Sequence, residues 1–203
     1  MKVELKVPYV KQISDKTCLP ACAEMILKYY GEQATQRELY EKAKWGEGEG
    51  YGATDAGLAV AIRDLGYKVI SWWNAKQIVP TSWKILEDKY FWPQFWVAAK
   101  IGAIERKENA DSALIKELID IRIPVIVDVD NGKLYDGETT WTHSILFTGY
   151  SNRHLIYHDP SEKGGPEKRI EVKKLEDCWI TPFVDKSMRI IVKQGRKIQF
   201  ISS

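Results

Sequence analysis

Pro124 divides this sequence into two kinds of apolar pattern, and that division limits the folds open to it. Before it, apolar side chains recur mainly at helical spacing. Cys18, Cys22, Met25, Ile26 and Tyr29 share one face, with Gly31 as the stop. Thr35 and Glu38 have the spacing of a capping box that opens a second helix running to about Lys44. Thr54 and Asp55 can cap a third helix with Leu58, Ala61, Ile62 and Leu65 on its inner face, and Asp111 to Ile121 reads as another. Only Val3–Val7 and Tyr67–Trp72 look like strands in this part. After Pro124 strand-like runs dominate: Val125–Val129, Ser144–Tyr150, Leu155–His158, Arg169–Val172 and Met188–Val192, separated by Asn, Asp and Gly turns. Helices first and mostly antiparallel strands second predict an α+β fold.

The 203 residues suit one domain, and 44% hydrophobic with 29% charged residues describes a globular chain that needs no disulfide or metal staple. A net charge of +2 gives no bulk electrostatic reason to bind nucleic acid or an anionic membrane. No apolar run approaches the ~20 residues of a spanning helix, and Met1-Lys2-Val3-Glu4 is no signal peptide, so the expected location is cytoplasmic. Three cysteines, an odd number, fit reduced thiols. The density of Lys and Glu, with few asparagines, leans towards a thermophile. Gly46, Gly48, Gly50 and Gly52, interleaved with Glu47 and Glu49, read as a flexible acidic loop with the wrong charge for a phosphate cradle. Trp72, Trp73, Trp83, Trp92 and Trp96 crowd a stretch with Pro80 and Pro93 that reads as a helical pair or a packed irregular insertion. The expected organisation is a single domain over 1–203 with a Trp-rich insertion at about 73–110.

Cys18 is the sharpest candidate for chemistry. A helix N-terminus offers unpaired amide hydrogens and partial positive charge, and both stabilise a thiolate. The bland alternative is a small buried hydrophobe. Gln12, six residues earlier, has a side-chain amide able to donate to an oxyanion. His143 opens one strand-like run and Asp159 ends the next. An antiparallel pair joined near Ser151-Asn152-Arg153 brings them together, as a carboxylate orienting an imidazole requires. His154 falls at the far end of that hairpin and His158 on its other face. Zinc on Cys18, Cys22 and a histidine is the metal alternative, and it lacks an obvious fourth ligand.

Val7-Pro8-Tyr9-Val10-Lys11-Gln12, then Cys18-Leu19-Pro20-Ala21-Cys22 running into Met25-Ile26-Leu27-Lys28-Tyr29-Tyr30-Gly31, resembles the N-terminal block of the bacteriocin-processing, double-glycine-leader peptidases. Thr142-His143-Ser144-Ile145 through Thr148-Gly149-Tyr150, with Tyr157-His158-Asp159-Pro160, resembles that family's second block. The resemblance implies a papain-like cysteine proteinase fold, with the cysteine in an N-terminal helical part and the histidine and aspartate on a C-terminal antiparallel sheet. It implies Cys18 as nucleophile, His143 as its proton partner, Asp159 as the orienting acid and Gln12 in the oxyanion hole, with no cofactor and no metal. The substrate is then a peptide or amide bond, cleaved through a thioester. An acyl transferase or transglutaminase-like enzyme with the same triad, or an inactive papain-like module that binds peptides, are the competing readings. Thr17 and Leu19 flank the cysteine where the family commonly has an acidic residue or asparagine and a glycine. Leu19 is therefore expected at the substrate's approach, and Trp141, two residues before His143, at the cleft wall.

Overall fold

The structure is a computed structural model that describes residues 2–44, 52–73, 92–138, 141–181 and 186–198. Most of the acidic glycine loop, and residues 74–91 of the Trp-rich stretch with Trp83, lie outside the described residues.

In chain order the elements are β1 (Val3–Glu4), α1 (Cys18–Tyr29), α2 (Gln36–Ala43), α3 (Asp55–Arg63), β2 (Tyr67–Trp72), α4 (Trp92–Lys100), β3 (Ile104–Lys107) and α5 (Ser112–Asp120). There follow β4 (Val125–Asp130), α6 (Asn131–Leu134), β5 (Thr142–Tyr150), β6 (His154–Asp159), β7 (Gly165–Glu171), α7 (Val172–Cys178) and β8 (Met188–Lys193). The α+β class expected from the apolar pattern is what the chain adopts. Helices α6 and α7 are too short for a periodic signal, and their sequences, Asn131-Gly132-Lys133-Leu134 and Val172 to Cys178, read as turn and strand end.

Local chemistry sets the helix ends. Gly31 takes a φ of +91°, which lets its own N–H reach Lys28 O at 3.0 Å and the Glu32 N–H reach Leu27 O at 2.9 Å, closing α1. The capping box at α2 is complete: the Thr35 hydroxyl accepts from Glu38 N, and the Glu38 carboxylate accepts from Thr35 N. Thr54 Oγ1 accepts from Gly57 N at 2.9 Å to start α3, and Asp111 Oδ1 from Leu114 N at 2.7 Å to start α5.

The strands form one sheet in the order β3-β2-β8-β4-β5-β6-β7, with β1 added to the end of β5. Among the described residues every strand pairing is antiparallel except β2 with β3. The described part of the Trp-rich stretch thus joins the main sheet: α4 leads into β3, which lies parallel to β2 as a helical crossover permits. Trp72 and Trp73 are buried, and Trp73, Trp92 and Trp96 all pack on Phe95 or on one another. Helix α1 lies against β4 and β5, and Cys22 Sγ donates to Ser144 O at 3.5 Å across that contact. This seam between the first long helix and the centre of the sheet positions the candidate site.

Beneath the seam sits a buried ion cluster. Arg189 on β8 is paired in register with Ser71 on β2 and Ile126 on β4, which places Asp128 diagonally across. Its guanidinium contacts Asp128 through both terminal nitrogens, and Nε lies 2.9 Å from Asp55 Oδ1. Ser71 donates to Asp55, and Ser187 and Ser144 donate to Asp128, so both carboxylates carry hydroxyl partners as well.

Candidate active site

Cys18 is the first residue of α1, where the sequence places it. Thr17 occupies the cap position, but its Oγ1 accepts from Ile13 N and Ser14 N instead of from the helix. The first turn also has no acidic side chain. Its amide hydrogens and the positive end of the helix dipole therefore remain uncompensated beside the partly exposed thiol.

His143 and Asp159 meet as the hairpin reading requires. Strands β5 and β6 pair antiparallel with Leu146 opposite His158, so Asp159 lies one step further along, on the face His143 shares. His143 Nε2 donates to Asp159 Oδ1 at 2.8 Å, which leaves Nδ1 for Cys18, and the thiol stands close enough to His143 for each group to shift the other's pKa. His158 serves structure instead. Its Nε2 donates to Val7 O at 2.9 Å while Nδ1 accepts from Glu167 N, which fixes one neutral tautomer. His154 stands at the other end of β6, near Glu171.

The electrostatics follow from these contacts. Burial alone raises the Cys18 thiol's pKa, but the hydrogen bond and charge of His143, with a backbone hydrogen bond from Ser144, outweigh it and draw the value below that of an ordinary thiol. Burial disfavours the His143 imidazolium, yet hydrogen bonds to Asp159 and Cys18 push it up to about 10. Burial likewise opposes the Asp159 carboxylate, and His143 and Tyr135 overcome it to hold the value at about 2. The group is built to carry a thiolate, an imidazolium and a carboxylate together. Burial pushes the Cys22 thiol well above the usual thiol range, and its Sγ donates to Ser144 O. Among the described residues no group of three or more His, Cys, Asp or Glu is placed to hold a metal ion.

Gln12 lies in the segment before α1, its N–H donating to Pro160 O at 2.9 Å, next to Asp159. Trp141 immediately precedes β5 and is 64% exposed. Leu19 is the exception to the expected set. It is only 4% exposed and belongs to the core, because the second position of α1 turns inward against the sheet, so it offers a substrate no surface.

Residues 4–182 match the family model described as Peptidase_C39 like family. The chain belongs to the Peptidase_C39 like family. Its members are papain-like cysteine peptidases, and the fold agrees. A structure described as a C39-like peptidase from Bacillus anthracis superposes with a TM-score of 0.61 at 17% identity, covering 97% of this chain and 100% of that one. The peptidase domain of Streptococcus ComA, a bifunctional ABC transporter of a quorum-sensing pathway, gives 0.57 at 18% identity, over 92% of this chain and 100% of that one. A double-glycine-motif protease from an AMS/PCAT transporter, in complex with a leader peptide, gives 0.55 at 12% identity over 95% of each chain. No curated protein matches the sequence. No helix among the described residues is long and apolar enough to cross a membrane.

In this C39-like chain the sequence reading missed the partners of Asp159. Tyr135, just after α6, donates its hydroxyl to Oδ2, and Ser161 N donates to Oδ1 at 2.8 Å. Asp159 O accepts from the Tyr9 hydroxyl at 3.1 Å. Of these partners only Tyr9 lies within a sequence block quoted for the resemblance, and tyrosines are common in this sequence. Gly164 completes the enclosure: a Cβ there would lie 2.3 Å from Asp159 O and 2.6 Å from Oδ1. Gly164→Ala is therefore expected to shift Asp159 and to destabilise by about 1–3 kcal/mol, the usual cost of forcing atoms into a filled space. A lowered urea midpoint should accompany slower reaction of Cys18 with iodoacetamide at pH 6. An unchanged rate would mean that the Asp159 carboxylate has slack that the close packing denies.

Proposed function

We propose that this chain is a peptidase in which Cys18, His143 and Asp159 form the catalytic triad and Gln12 contributes to the oxyanion hole. The observation that carries the reading is the His143–Asp159 hydrogen bond, with the Cys18 thiol beside His143 at the uncapped start of α1. The Cys18 thiolate attacks the peptide carbonyl carbon, and negative charge moves to the carbonyl oxygen. The Cys18 backbone N–H and the Gln12 amide donate to that oxygen. As the C–N bond breaks, the His143 imidazolium passes its proton to the leaving amine, and the acyl group remains on sulfur as a thioester. Water then attacks the thioester, His143 takes its proton, and C–S cleavage returns the thiolate. Asp159 holds the imidazole with Nδ1 towards sulfur throughout. Trp141, exposed beside the base, forms an apolar wall for the bound peptide.

The test is alkylation by iodoacetamide across pH with peptide mapping. Because the Cys18 pKa is lowered and that of His143 is raised to about 10, Cys18 should react at a plateau rate well below pH 8. Peptide cleavage, which needs the imidazolium, should fall as pH rises through about 10. Cys22 and Cys178, whose thiols burial pushes up, should stay unmodified until the protein unfolds. Digestion of a quenched peptide pool by the wild type should release new carboxyl ends. Capture of the acyl group by added amines in place of water would move the assignment to acyl transfer. A Cys18 that reacts no faster than a free thiol would remove the enzyme reading.

A further inference from the structure

Gln36, the first residue of α2, is only 5% exposed and lies far in sequence from every residue of the proposed triad. Its side chain nevertheless reaches the segment that carries Gln12. Gln36 Nε2 donates to Lys11 O at 2.8 Å, and Gln36 Oε1 accepts from Ile13 N at 2.9 Å. The two bonds straddle Gln12, as a neighbouring strand would straddle one residue. The Gln12 N–H is tied separately to Pro160 O, and Ile13 N is shared with Thr17 Oγ1 at 3.2 Å. Gln36 is itself fixed, since its own N–H donates to Glu24 Oε2 at 2.6 Å and Glu24 pairs with Lys28.

We propose that Gln36 is a positioning residue for the oxyanion hole, acting only through Gln12. This rests on the function proposed above and adds to it the device that aims the Gln12 amide. An oxyanion donor is effective only when it is already in place as charge develops, because reorganising it during the reaction costs the energy it would return. A glutamine in an unbraced loop would lose that advantage to its own backbone freedom. The clamp removes the freedom on both sides of Gln12 at once. Its two side-chain bonds go only to Lys11 and Ile13, and its backbone bond to Glu24 on α1 survives a change of side chain, so Cys18, His143 and Asp159 keep their alignment when the clamp is lost.

Two reactions of Cys18 separate these roles. Acylation by 4-nitrophenyl acetate passes through an oxyanion: sulfur bonds to the carbonyl carbon, the C–O bond breaks, and 4-nitrophenolate leaves. Alkylation by iodoacetamide displaces iodide with no oxyanion and reads only the thiolate. Gln36→Met, similar in length but unable to make either bond, is expected to slow acylation about tenfold to a hundredfold, part of the loss typical for a missing oxyanion donor. Alkylation at pH 6 should stay within about twofold of the wild type. In a Gln12→Ala background the same change should slow acylation by less than about twofold, because nothing remains to be aimed. Should Gln36→Met fail to fold, Gln36→Glu keeps the acceptor for Ile13 N, loses the donor to Lys11 O, and is read in the same cycle. Unchanged acylation, equal slowing of both reactions, or full additivity with Gln12→Ala would overturn the proposal. Slow alkylation of wild-type Cys18 would instead overturn the function on which it rests.

Discussion

Cys18→Ala is expected to lower peptide cleavage by a factor on the order of 10⁴ or more, since loss of a nucleophile in such a unit leaves only binding and oxyanion stabilisation. The fold should survive, because Cys18 is partly exposed at a helix end and its removal opens no sealed cavity. Circular dichroism and the urea midpoint should therefore match the wild type while cleavage disappears. Asp159→Asn is the sharper companion. Asp159 is met by three donors, His143 Nε2, the Tyr135 hydroxyl and Ser161 N, and accepts from all of them as a carboxylate. An asparagine oxygen in the Oδ1 place still accepts from His143 Nε2 and Ser161 N, and its amide can donate to the Tyr135 hydroxyl, so the tautomer is kept and what is lost is the negative charge that favours the His143 imidazolium. The weaker imidazolium–thiolate pair predicts slower alkylation of Cys18 at pH 6 and a loss of more than about tenfold in turnover. Cleavage by the asparagine variant within tenfold of the wild type would deny Asp159 its proposed role.

Arg189→Leu is expected to produce the largest loss of stability. It leaves Asp55 and Asp128 buried with hydroxyl partners but no cation, and breaking a buried ion group in this way typically costs about 3–5 kcal/mol. Against the 5–15 kcal/mol that holds an ordinary domain together, that is a large share. Urea unfolding should show it as a lowered midpoint. Its pH dependence has a definite sign. Burial, together with repulsion from Asp128, raises the Asp55 carboxyl even with the arginine present. Without Arg189 the folded state takes up protons more readily than the unfolded chain, so the variant regains stability as pH falls from 8 towards 5. Replacing Asp55, Asp128 and Arg189 together by apolar residues of similar volume should recover much of the loss. An Arg189→Leu midpoint equal to that of the wild type would show that the cluster is solvated.

Helices and strands with a regular apolar period were largely legible. Strands β2, β4, β5, β6 and β8 lie close to the expected runs, while β7 begins four residues before its run and ends one residue short of it, and Gly31, the Thr35–Glu38 box and Thr54 mark helix ends where their chemistry requires. These features depend on residues within a few positions of one another, so the linear sequence contains them whole. Bringing His143 beside Asp159 also needed only one hairpin, and the start of α1 needed only its own first turn.

What escaped the reading depends on separations that no local pattern records. Leu19 follows the candidate nucleophile in sequence but faces the core, because helix phase against the sheet, and not adjacency, decides which side chains face a cleft. Gln36 reaches Lys11 and Ile13 only once α1 and α2 have packed. Asp55, Asp128 and Arg189 look in sequence like ordinary charges on a cap and two strands. The order β2-β8-β4 makes them one buried cluster by inserting the last strand between two earlier ones. The sequence by itself determined the elements with a regular apolar period, several of their ends and the hairpin that brings histidine to aspartate, since the free energies involved are local. Tertiary structure alone decided how Asp159 is enclosed, how the Gln12 segment is clamped and which charges are buried together, since those contacts exist only after distant elements share a core.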